Sequence, residues 1–78
     1  MTKEIYAALD EIFRDVFLRD DLVLTPGLSA RDVTGWDSFK QIEIVIAAEQ
    51  RFGIKFTTRE LDRLRNVGDL VEVIAAKA

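Results

Sequence analysis

Few side chains in this 78-residue chain could take part in chemistry, and the one in the most promising setting is Ser38, in the run Trp36-Asp37-Ser38-Phe39. A serine hydroxyl opening a helix is a good acceptor for a phosphoryl group, because the free N–H groups of the first turn and the helix dipole stabilise the resulting anion. The same position has a plainer use. Ser38 and Gln41 match the S-x-x-Q capping box, and Asp37 could equally be the cap. Local spacing favours a cap and leaves the acceptor open. With neither Cys nor His, the chain offers no disulfide framework, no thiolate zinc site, no imidazole ligand and no neutral-pH proton shuttle. No metal site is expected, and the chain reads as a protein that is not an enzyme.

The elements that must position Ser38 follow from apolar spacing. Ile5, Leu9, Ile12, Phe13 and Val16 recur at steps of three and four, predicting a helix from Thr2 to about Leu18, with Thr2 as its cap and Glu4 in the dipole-favoured first turn. Residues 19–36 hold the only proline and two of the four glycines, which predicts a long loop. Leu22, Leu24, Leu28, Val33 and Trp36 should pin it in an ordered course. A second helix is expected over Ser38–Phe52, stopped by Gly53. Thr57 and Glu60 have capping-box spacing and open a short helix carrying Leu61 and Leu64. Asn66 starts a last helix whose face is Val67, Leu70, Val71 and Ile74, with Asp69 in its first turn. The fold class is all-α: a small bundle of three main helices plus one short helix, with a long first loop.

A chain of this length is one domain, 1–78, with one modest core and little room for a deep pocket. Its apolar share of 49% argues against disorder. A net charge of −3 without any basic run excludes nucleic acid as a natural partner. Neither a signal-like nor a membrane-spanning apolar stretch is present, so a cytoplasmic chain without membrane insertion is expected.

The second helix carries two apolar stripes. At 100° per residue, Ile44, Val45, Ala48 and Phe52 fall on one side, and Phe39, Ile42 and Ile46 on roughly the other. The second stripe either packs under the long loop or forms an exposed contact patch.

Trp36-Asp37-Ser38-Phe39, the run from Ile42 to Glu49, Phe52-Gly53-Ile54 and Asn66-Val67-Gly68-Asp69-Leu70 together resemble the acyl carrier protein pattern, in order and over nearly the whole chain. The resemblance implies that Ser38 is the attachment point for 4′-phosphopantetheine, delivered from coenzyme A by a phosphopantetheinyl transferase, with Asp37 beside the linkage. It further implies a monomer that meets acyl-loading and acyl-transferring enzymes through Phe39, Lys40, Ile42, Glu43 and Ile46. Ser38 would be a modification site rather than a catalytic nucleophile, since the activating groups belong to the transferase.

Departures from that pattern bear on specificity. Three anions, Asp37, Glu43 and Glu49, face two cations, Lys40 and Arg51, so residues 37–51 carry only −1, milder than generic fatty-acid carriers. Phe39 replaces the more usual leucine, a form similar to D-alanyl carriers and to free-standing carriers of specialised pathways. Arg59, Arg63 and Arg65 make the third-helix region locally basic, and a solvated face paired with Glu60 and Asp62 is the simpler account. The leading expectation is therefore an acyl carrier for a specialised lipid, polyketide or glycan-modification pathway. The alternatives are an aminoacyl carrier of the D-alanyl or peptidyl type, or a non-carrier helical interaction module in which Ser38 only caps.

Overall fold

In the computed structural model, which describes residues 2–77, the three-and-four spacing of the first segment becomes one buried face of α1, Thr2–Phe17. Ile5, Ala8, Leu9, Ile12 and Phe13 are buried along it. Thr2, expected as the cap, is instead the first helical residue, a shift of one position of the kind that helix ends allow. Three further helices follow: α2 Ser38–Phe52, α3 Thr58–Asp62 and α4 Val67–Lys77.

The core lies where α1 meets α2 and α4. Leu9, Phe13, Ile44, Ala48, Val67 and Ile74 lose all solvent contact there. Each is a position that helical periodicity assigned to an inner face, so the bundle is held mainly by burial of apolar area. On the surface between α1 and α2, Arg51 reaches Glu11 at 2.8 Å.

The long loop is pinned as its apolar residues imply. Val33 is buried, and Leu22, Leu24, Leu28 and Trp36 pack against the core. Its middle is stitched to the start of α4: the Val67 N–H donates to the Leu28 carbonyl and the Gly68 N–H to that of Pro26, each at 2.9 Å, beside an antiparallel bridge between Ser29 and Asn66. Only glycine suits position 68, since a Cβ there would stand 2.9 Å from the Pro26 oxygen.

Each short connection is closed by its own polar groups. Gly53 ends α2 in the left-handed region, at φ 66. At α3 the Thr57 N–H donates to Glu60 Oε1 and the Glu60 N–H to Thr57 Oγ1, the reciprocal box expected from their spacing. Leu64 falls just beyond α3 rather than on it, and Asn66 caps α4 by accepting from the Asp69 N–H at 2.8 Å.

Candidate functional site

The start of α2 settles which residue caps it. Asp37 is extended, and its Oδ1 accepts the Lys40 N–H at 3.0 Å. Gln41 is committed elsewhere: its Oε1 accepts from Trp36 Nε1 at 2.8 Å. The indole is held edge-on by Phe13, with centroids 5.3 Å apart, and by Phe17 at 6.1 Å. No capping box therefore forms between Ser38 and Gln41. Ser38 is the first helical residue, exposed, and among the described residues its Oγ makes no hydrogen bond.

This division of labour has a simple cause. A cap needs non-helical backbone with an acceptor oxygen pointing back over the first turn, which the extended Asp37 provides and a helical serine does not. The hydroxyl of Ser38 is left facing solvent above the positive end of α2.

Beside Ser38 lies a shallow groove of about 510 Å³, whose wall includes Asp37, Ser38, Ile42, Trp36 and, from across the gap, Leu64. It adjoins a recess of about 60 Å³ reaching Arg65, Asn66 and Leu70, with which it shares Ala30, Trp36, Gln41 and Leu64. A phosphodiester-linked arm on Ser38 would fit this setting: the Ser38 Oγ is unengaged, the surface is open, and an apolar furrow starts at the same residue.

The second stripe of α2 is exposed and does not pack under the loop. Phe39 is 78%, Ile42 56% and Ile46 49% accessible. The opposite stripe is the packed one, with Ile44, Val45 and Ala48 buried and Phe52 half-buried. Of the site residues named from the sequence, Asp37, Ser38, Phe39, Ile42, Glu43 and Ile46 are exposed, whereas Lys40 is half-buried and turned towards the end of α1.

Lys40 has a role that sequence reasoning missed. Its Nζ donates to the Val16 carbonyl at 3.2 Å and stands 3.7 Å from Glu43 Oε2. A cation at the last carbonyls of α1 meets the negative end of that helix. Twenty-four residues separate the partners, so no local spacing could have signalled the contact. Other charges of α2 also serve the fold: Glu49 accepts the Phe56 N–H at 2.8 Å, and Arg51 holds Glu11. The mild field around Ser38 is thus partly a by-product of charges tied to neighbouring backbone.

Comparison with known proteins bears on the same residues. Residues 7–74 match the family model described as "Phosphopantetheine attachment site". The chain is 36% identical over 73 residues to an acyl carrier protein of Acidothermus cellulolyticus, covering 94% of this chain and 87% of the relative. It is 36% identical over 72 residues to the meromycolate extension acyl carrier protein of Mycolicibacterium smegmatis, covering 92% and 73%. The solution structure of a holo acyl carrier protein from Geobacter metallireducens superposes with a TM-score of 0.87 at 42% identity, over 92% of this chain and 83% of that one.

Proposed function

The chain belongs to the acyl carrier proteins of the phosphopantetheine attachment-site family, and on that premise we propose that Ser38 bears the arm and that α2 from Asp37 to Ile46 is the face shown to partner enzymes. Its function is to carry acyl groups on covalently attached 4′-phosphopantetheine, as a carrier and not an enzyme. The arm contributes a terminal thiol on which cargo is held as a thioester. Membership of the family sets aside the non-carrier helical module.

One observation carries the assignment to Ser38: Asp37 takes the cap, so the serine hydroxyl next to it is exposed and unbonded at the helix start. Around it the chain's own groups have distinct tasks. The first-turn N–H groups left over by the Asp37 cap favour a phosphodiester there. Trp36, locked by Gln41, Phe13 and Phe17, keeps the preceding backbone from shifting when a partner docks. Phe39 and Ile42 offer apolar surface for contact, while Lys40 and Glu43 form an ion pair at its edge.

Intact-mass measurement after incubation with coenzyme A and a broad-specificity transferase tests this reading. Wild type should gain one arm and Ser38→Ala none; an undiminished gain in the variant would overturn it.

The pathway reading is a specialised lipid one. It is supported by Phe39, by the −1 charge over residues 37–51 and by relatives whose name refers to meromycolate extension. Elongation of the holo-protein by generic fatty-acid synthase enzymes as readily as a housekeeping carrier would count decisively against it. Residues 1–78 are taken as one carrier domain, a monomer of the cytoplasm. No helix among the described residues is long and apolar enough to cross a membrane.

A further inference from the structure

Seven arginines are present, and the structure sorts them sharply. Arg14, Arg19 and Arg51 are ion-paired, with Asp10, Asp21 and Glu11. Arg31, Arg59, Arg63 and Arg65 are exposed and their guanidinium groups are, among the described residues, paired with no carboxylate, the Arg65 backbone N–H alone donating to Asp69 Oδ2 at 3.1 Å. The expected pairing of the third-helix arginines with Glu60 and Asp62 does not form. Glu60 is taken by the Thr57 N–H and by Lys77 at 3.1 Å.

Three of these four arginines are close in sequence, and one backbone bridge brings the segment holding the fourth to theirs. Arg59, Arg63 and Arg65 belong to α3 and its exit, and the Ser29–Asn66 bridge brings the loop carrying Arg31 alongside Arg65. Ala30 and Arg65 line the same recess. That recess joins the groove at Ser38, where Leu64, bracketed in sequence by Arg63 and Arg65, faces Ile42 of α2. Residues 53–66 hold four cations against two anions in a chain of net charge −3, so the remainder carries −5. The groove beside Ser38 thus has the weakly acidic, apolar start of α2 on one side and Leu64 on the other, and Arg65, which lines the adjoining recess, begins a basic rim that Arg63 and Arg59 continue back along the chain into α3.

We propose that this basic rim is a docking surface for partner enzymes whose carrier-binding face presents carboxylates towards α3 and an apolar patch towards Phe39, Ile42 and Ile46. The inference rests on the carrier reading, because the rim borders the groove through which Ser38 must be offered. Guanidinium forks match carboxylates two-to-two, and four without internal partners need not break any bond to meet them. The occupant is a protein because Phe39, Ile42 and Ile46 expose apolar area beside Ser38 that a polyphosphate would leave unused and a protein face can cover. Rim charges act mostly on encounter rate and orientation, which selects partners without requiring tight binding.

The test uses one phosphopantetheinyl transferase in two forms: the parent, and a form with glutamates introduced around the rim of its carrier-binding face. Association rates with the unmodified chain are measured without coenzyme A. The glutamate-rimmed form should associate roughly tenfold faster at low salt. That advantage should fade towards 0.5 M NaCl, as screening of order a few ångström sets in, and vanish for Arg59→Gln/Arg63→Gln/Arg65→Gln. Equal or slower association by the glutamate-rimmed form, or an advantage that survives the triple substitution, overturns the proposal. All three side chains are exposed, and an unchanged melting temperature of the variant keeps the comparison about charge. Ser38→Ala should retain the full preference while gaining no mass with coenzyme A. A wild type that shows the preference yet gains no mass would instead overturn the attachment site and leave the docking surface standing.

Discussion

At the scale of single residues, Asp37 and Ser38 are adjacent and carry separable tasks. Removing the cap should cost about 1 kcal/mol, so Asp37→Ala should melt several degrees below wild type, whereas Ser38→Ala should melt within a degree or two of it and lose only loading. Equal destabilisation by both would show that the serine shares the cap. Leu18 presents a different case. It follows α1 with φ 53 and is 89% exposed, so a branched residue occupies left-handed backbone without burying its side chain. Left-handed geometry costs an L-residue roughly 1–2 kcal/mol, against roughly 0.5–1 for the extra freedom of glycine in the unfolded chain. Leu18→Gly should therefore raise stability by up to about 1 kcal/mol in chemical denaturation, and a loss would show that the exposed leucine makes a stabilising contact.

At the scale of elements, the joints between helices are held by a few directed contacts. Gly68 lets the start of α4 lie against Pro26. An added methyl there must displace backbone, which for overpacking costs about 1–3 kcal/mol. Gly68→Ala should lower the denaturation midpoint accordingly and loosen amide protection at Val67 and Gly68. The α3 joint is sensitive to pH. The Thr57 N–H, and secondarily Lys77, hold the Glu60 carboxyl below its ordinary range. A lowered carboxylate pKa in the folded state means stability that is present above the unfolded value and is lost as pH falls through the folded one. The melting-temperature gap between wild type and Glu60→Gln should accordingly be largest near neutral pH and shrink on acidification below the usual carboxylate range; a constant gap would mean the ionised form contributes nothing. Because this carboxyl stays in contact with solvent, which screens its interactions, the effect is expected to be modest.

For the whole molecule, Phe13 joins the core to the site. It is wholly buried in α1 and packs edge-on against Trp36, two residues before Ser38. Truncating a buried phenylalanine costs about 3–5 kcal/mol, comparable with the total stability of about 4–12 kcal/mol expected at 78 residues. Phe13→Ala should leave a substantial unfolded fraction at room temperature. Trp36, the only tryptophan, would report this as emission shifted towards that of solvent-exposed indole. A variant that keeps native emission and a sharp thermal transition would mean the loop is anchored independently of Phe13.

The sequence alone determined the four helices, the inner faces of α1, α2 and α4, the Thr57–Glu60 box and the Gly53 stop, because each depends on spacings within a few residues, where helical geometry leaves little choice. It also placed Ser38 at a helix start and, through the ordered run of motifs, pointed to the family. It could not choose between Ser38 and Asp37 as cap, since both side chains suit that role and the outcome turned on which of the two takes extended backbone at the helix start. Nor could it say whether Phe39, Ile42 and Ile46 lie under the loop, which depends on where the loop is stitched to α4. The hold of Lys40 on α1 and the unpaired state of Arg31, Arg59, Arg63 and Arg65 were likewise decided only by tertiary structure. Charge pairing between distant segments depends on which backbones the core brings together, and on which carboxylates those backbones have already engaged.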